Sequence, residues 1–238
     1  MKKFLCTLAL LILLPFPAEG ARDFDGINDY INIPANTVLR PTNITLSAWV
    51  KSSQATWNQF GCILSSRTST NNGGYIIHPD PGTKQVTFYV NINNIWNFVS
   101  YAPADIEIWH LYTVTYDGTT LRGYVDGVEV GIPVSIIGGS VTYSGTANDV
   151  FIGFDNFGGR WCDAKIDDVR IYNRGLSASE AQELYSGKVN TIVDGMVAQW
   201  RMSESDTNPG FRDLSGNGNP GINNGSTPTS DTPPLFGQ

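Results

Sequence analysis

The segment Ile44-Thr45-Leu46-Ser47-Ala48-Trp49-Val50 sets Ile44, Leu46, Ala48 and Val50 at alternate positions. That period of two belongs to a half-buried strand, because successive strand side chains point to opposite faces. Similar short runs recur at 62–65, 74–77, 85–91, 96–101, 109–116, 120–125, 128–132, 149–154, 165–172 and 197–202, with Asn, Gly and Asp-Gly between them. Many short strands punctuated by turn residues specify a sandwich or a barrel. Asp126-Gly127, between Tyr124-Val125 and Val128-Glu129, is a two-residue hairpin signal, since such a turn needs positive φ at its centre. Asp117-Gly118 closes another strand.

One short helix is expected near 177–186. Ser177 and Glu180 form a capping box, Ala178 to Tyr185 favours helix, and Gly187 sits where a left-handed cap belongs. Residues 205–238, rich in Gly, Asn, Pro, Ser and Thr, read as a loop-like tail with little core material.

Only 16% of the 238 residues are charged, against roughly 25% in ordinary domains, which disfavours a helical bundle. A hydrophobic fraction of 41% suffices for a core, and an all-β sandwich of this length fits one domain. The net charge of -7, with no basic cluster after the first residues, argues against a nucleic-acid partner. Met1-Lys2-Lys3 and the apolar run from Phe4 to Phe16 read as a bacterial secretory leader, cleaved after Gly20, so a secreted or periplasmic location is expected. No later stretch could span a membrane. Cys6 leaves with the leader, and Cys62 and Cys162 remain as a possible disulfide.

Several motifs in order carry a family resemblance. Phe24-Asp25-Gly26-Ile27-Asn28-Asp29-Tyr30-Ile31, Leu46-Ser47-Ala48-Trp49-Val50, Trp109-His110 running to Thr115-Tyr116-Asp117-Gly118, Leu121 to Gly127, and Lys165 to Ser177 together resemble the laminin-G-like, pentraxin-type members of the concanavalin A-like jelly rolls. The resemblance covers roughly residues 23–186 and implies two antiparallel sheets in one sandwich. Gly195 to Trp200 and Asp213 to Asn219 look like the segment that opens such domains, here placed last. Either the chain is circularly permuted, with a strand at 197–202 inside a domain spanning 21–204, or a second repeat begins and breaks off.

The strand 166–172 puts Asp167 on one face with Val169 and Ile171, and Asp168 with Arg170 on the other. A buried carboxylate needs a cation or several donors. The resemblance implies a structural calcium held by Asp25, Gly26 and Asp167, with Asp29 as an outer ligand. The alternative is that Asp167 accepts hydrogen bonds from backbone N–H groups of the Asp25–Asp29 turn. Trp57, Trp96, Tyr143 and Trp161 are the candidate sugar-stacking aromatics; the alternative for each tryptophan is a loop anchor over the core edge. Trp49 and Trp109 match strand tryptophans of the family and are assigned to packing.

Related sandwiches include glycoside hydrolases with a Glu-x-Asp-x-x-Glu strand motif. Here only Glu204-Ser205-Asp206 begins it, and Pro209 stands where the last Glu belongs. His78 and His110 are too few for a triad or a zinc site. The expectation is a non-catalytic module that binds carbohydrate or glycosylated surfaces; the alternative is a protein-interaction or adhesion domain of an envelope or extracellular assembly.

Overall fold

The computed structural model describes residues 20–58, 61–67, 73–136, 138–143, 149–187, 192–202 and 210–234. The expected leader lies outside them apart from Gly20, as do residues 205–209 of the expected tail.

In chain order the strands are β1 (Ala21–Asp25), β2 (Tyr30–Ile33), β3 (Ile44–Ser52), β4 (Leu64–Ser65), β5 (Tyr75–Pro79), β6 (Val86–Ile92), β7 (Ile95–Tyr101), β8 (His110–Tyr116), β9 (Thr120–Val125) and β10 (Val128–Ser135). They continue as β11 (Val150–Ile152), β12 (Phe154–Asp155), β13 (Arg160–Trp161), β14 (Asp163–Tyr172), helix α1 (Ala178–Tyr185), β15 (Met196–Trp200), β16 (Ile222–Asn224) and β17 (Thr227–Thr229). An eight-stranded sheet runs β10-β9-β8-β3-β14-β1-β17, with β15 also on β14. A seven-stranded sheet runs β16-β2-β11-β4-β5-β6-β7. All pairings within them are antiparallel. This is the expected two-sheet jelly-roll sandwich.

The inward face of β3 is the one its period specifies: Ile44, Leu46, Ala48 and Val50 are buried in the core between the sheets. The other face differs from expectation. Trp49 is buried too, in a second cluster with Leu111, Tyr172, Leu176, Leu184 and Ile192, because α1 and the segment after it lie over the outside of the sheet. The helix starts as its sequence dictates, with the Ser177 hydroxyl accepting from the Glu180 N–H and the Glu180 carboxylate accepting from the Ser177 N–H. The Asp126-Gly127 turn has φ of 54° and 76°. A Cβ on Gly127 would stand 2.8 Å from Gln182 Cα, so glycine also lets the hairpin touch the helix.

The C-terminal region departs from the loop-like tail. β17 pairs with β1 and β16 with β2, so the tail supplies an outer strand to each sheet. Phe211 is fully buried in the main core. Edge pairing uses backbone groups and needs no apolar alternation, which is how Thr227-Pro228-Thr229 makes a strand although proline cannot donate. Upstream, β15 pairs with Val169–Tyr172 while β1 pairs with Asp163–Ile166, so the two share one edge of β14 end to end. The strand expected at 197–202 is seen as Met196–Trp200 and pairs with β14 in this sandwich.

Candidate functional site

Alternation along the central strands of the seven-stranded sheet builds a pocket on its outer face. In β5, Tyr75 and Ile77 enter the core, which turns Ile76 and His78 outward. Tyr89 of β6 pairs with Ile76 on one side and Phe98 of β7 on the other, and Asn91 pairs with Trp96. The β6–β7 connection is Asn93-Asn94, with φ of 53° and 66°, a conformation asparagine tolerates better than most residues. This tight turn places Trp96 near the start of β7, in the strand expected from residue 96. The rings of Tyr89 and Trp96 meet edge to face at 6.3 Å, and His78 lies edge-on to Tyr89 at 5.6 Å.

Two arginines complete the wall. Arg67, just after β4, is held by Asp155 of β12: its Nε donates to Oδ1 at 2.9 Å and a terminal nitrogen bonds Oδ2. Arg160 of β13 stands 3.8 Å from the same carboxylate. Both guanidiniums lie over the Phe157 ring, at 4.3 and 5.3 Å from its centre. The pocket lined by Arg67, Ile76, His78, Tyr89, Trp96 and Arg160 has a volume of about 240 Å³. Burial holds the His78 pKa below its ordinary value, so the ring is neutral at pH 7, and burial pushes the Tyr89 phenol up. The lining thus offers aromatic faces, a neutral imidazole and two fixed cations.

Of the four expected aromatics, only Trp96 lines this pocket. Trp57 is 2% exposed and belongs to the main core, because its backbone bonds Thr83 and Gly82 and draws the ring inward. Tyr143 packs edge-on to Tyr75 at 6.2 Å, donates its hydroxyl to the Pro41 carbonyl and is covered by Arg40 at 5.1 Å. Trp161 stacks on Phe154 at 5.4 Å. Arg67, His78, Tyr89 and Arg160 were absent from the sequence-based set. Strand alternation pointed to His78 and Tyr89; nothing local pointed to the arginines.

The expected calcium set is not brought together. Asp25 pairs with Asp163, and Asp167 lies four residues further along β14, about 13 Å away at the rise of a strand. The Asp25 carboxylate accepts from the N–H groups of Ile27 and Asn28, and that of Asp29 accepts from the Asp25 N–H. Gly26 packs against Asp163, where a Cβ would come within 2.9 Å of its side chain. Asp167 accepts from the N–H groups of Asp168 and Met202, so backbone donors do satisfy it, though from β14 itself and from the chain after β15 rather than from the Asp25 turn. These residues do not fit a shared cation. Among the described residues no group of three or more His, Cys, Asp or Glu side chains is arranged to hold a metal.

Asp167 and Asp168 are both buried, where strict alternation would have separated them. The register of β14 against β3 shifts between Asp167 and Arg170, and Asp168 adopts φ of 42°. Its carboxylate accepts from Arg170 Nε at 2.9 Å and Gln199 Nε2 at 2.8 Å. Cys62 and Cys162, the possible disulfide, are both free thiols, fully buried, and burial pushes both pKa values up.

Residues 25–182 match the family model described as the concanavalin A-like lectin/glucanases superfamily, and the chain belongs to that family. Among solved structures it is similar to a candidate carbohydrate-binding protein from Bacteroides ovatus, with a TM-score of 0.67 and 20% identity over 92% of this chain and 62% of that one. It is also similar to the heptameric SAP-like pentraxin of Limulus polyphemus, with a TM-score of 0.62 and 13% identity over 94% of this chain and 100% of the pentraxin. The binding domain of botulinum neurotoxin serotype D aligns with a TM-score of 0.55 and 15% identity, over 70% of this chain and 42% of that one. No curated protein is significantly similar in sequence. Among the described residues no helix is long and apolar enough to cross a membrane.

Proposed function

We propose that this protein is an exported, non-catalytic carbohydrate-binding module, and that it takes a sugar residue in the pocket on the outer face of the seven-stranded sheet. The observation that carries the reading is the pairing of the Trp96 and Tyr89 rings with His78 and the two arginines around one cavity. A sugar ring presents a C–H face that stacks on an indole and hydroxyls that bond to polar groups placed beside it. Among the described residues the pocket lining contains no carboxylate, whereas retaining glycoside hydrolysis needs two about 5 Å apart. The family membership and the Bacteroides ovatus neighbour support the same reading. Export rests on the leader-like first residues.

One feature favours the adhesion reading: Phe98 and Ile132, 54% and 84% exposed, flank an open depression that also reaches Trp96. A glycan array separates the two. Binding by the wild type that disappears in Trp96→Ala, with the melting temperature lowered by only the few degrees that about 1 kcal/mol represents, is the expected result; silence of the wild type on every glycan would overturn the carbohydrate reading and leave adhesion.

A further inference from the structure

We infer that the pocket selects an anionic sugar, one that carries a carboxylate or sulfate group, with Arg160 and Arg67 reading the charge while Trp96 and Tyr89 receive the ring. This deepens the proposed function and rests on it.

The charge arrangement is the ground for the inference. Among the described residues the lining carries two guanidiniums and no acidic side chain, and Asp155, fully buried behind them, serves both. Asp80 lies near His78, at 3.6 Å, but its carboxylate is bonded to Gln85 and Thr87. A cationic cavity on a chain of net charge -7 is a local construction, not a consequence of overall composition. Arg67 is locked, with its side chain 8% exposed, by Asp155 below and Phe157 beside it; Arg160, 28% exposed, stands nearer the solvent. Guanidinium groups match the two oxygens of a carboxylate or sulfate in plane, and groups already fixed lose little entropy on binding. The cavity is small enough that one ring fills it, which puts an acidic substituent within reach of the arginines.

The test is calorimetric titration of the full chain with trigalacturonate, a heparin-derived tetrasaccharide and cellotriose. At least one anionic probe is expected to bind about tenfold or more tighter than cellotriose, and more weakly as salt rises. Arg160→Gln should lower that affinity about tenfold without moving the melting temperature, since Asp155 keeps Arg67 as its partner. Arg160→Lys, which keeps the charge and loses the fork, should fall between. Tight binding of trigalacturonate shows that a carboxylate suffices; binding of the heparin fragment, which carries both groups, without binding of trigalacturonate assigns the sulfate. Cellotriose binding as tightly, with Trp96→Ala abolishing it and Arg160→Gln leaving it unchanged, would overturn this inference and leave the carbohydrate reading standing. No binding of any probe would overturn the inference, and the array result would then decide the broader reading separately.

Discussion

Arg67 and Asp155, 88 positions apart in the chain, meet fork to fork beneath the pocket, with Nε 2.9 Å from Oδ1 and a second nitrogen on Oδ2. Asp155 has no solvent exposure, and it also accepts from the Phe157 N–H at 3.1 Å. One carboxylate therefore fixes the β12–β13 hairpin, the end of β4 and the pocket wall together.

Removing that carboxylate leaves a guanidinium buried without its counter-charge. Asp155→Ala is expected to destabilise the fold by about 3–5 kcal/mol, read from the midpoint of urea unfolding. A midpoint shift equivalent to less than about 1 kcal/mol would mean that the pair is dispensable.

The two tryptophans expected to act alike should separate. Trp57→Ala opens a cavity in the main core and is expected to cost about 3–5 kcal/mol. Trp96→Ala trims an outward face and is expected to cost about 1 kcal/mol. Thermal melts of the two variants check this; equal losses would place both rings in the core.

His110 gives stability a pH dependence. Burial lowers its pKa, but the Asp126 carboxylate and the Asp105 carbonyl raise it by more, so the net shift is upward from 6.5. Nδ1 lies 2.7 Å from Asp126 Oδ2 and Nε2 lies 2.6 Å from the Asp105 carbonyl; both partners accept, so the ring holds both contacts only as the imidazolium. A raised folded value means that the contribution is complete below the unfolded pKa near 6.5 and is lost as pH rises through the folded one. The stability gap between wild type and His110→Gln should be widest near pH 5 and narrow on the alkaline side. A constant gap between pH 5 and 9 would contradict this.

Calcium should not change stability. Asp25 and Asp29 cap their own turn and Asp167 is occupied by the N–H groups of Asp168 and Met202, so chelation has no shared site to empty. The melting temperature is expected to be the same in EDTA and in millimolar calcium. A rise with calcium would reveal a ligand set other than these residues.

What the sequence disclosed was local. The inward face of β3, the positive φ at Asp126-Gly127 and the Ser177 capping box each depend on residues within one element, and each appears as read. Trp57 was misplaced because its polar neighbours, Gln54 to Asn58, have loop composition while the ring is drawn inward by partners at 82 and 83. The tail was misread because β16 and β17 are made by pairing with β2 and β1, and edge pairing leaves no hydrophobic period. The expected calcium ligands are separated at the level of register: a four-residue offset along β14 keeps apart carboxylates that a motif comparison brings together. The two arginines of the pocket had no local signal, since nothing near residue 67 announces a partner 88 positions later.

The strands that finish both sheet edges come late, and that has a consequence for the order of folding. β1 is among the first strands synthesised, yet its partner β17 ends at Thr229, and β2 waits in the same way for β16 at Ile222–Asn224. A chain halted near residue 204 would carry most of its core with two unpaired strand edges, the kind of surface that recruits other chains. Pairing of β1 and β2 with these strands thus waits until residues 222–229 have been made. Truncation between residues 204 and 222 should therefore show itself as aggregation during refolding more than as loss of secondary structure.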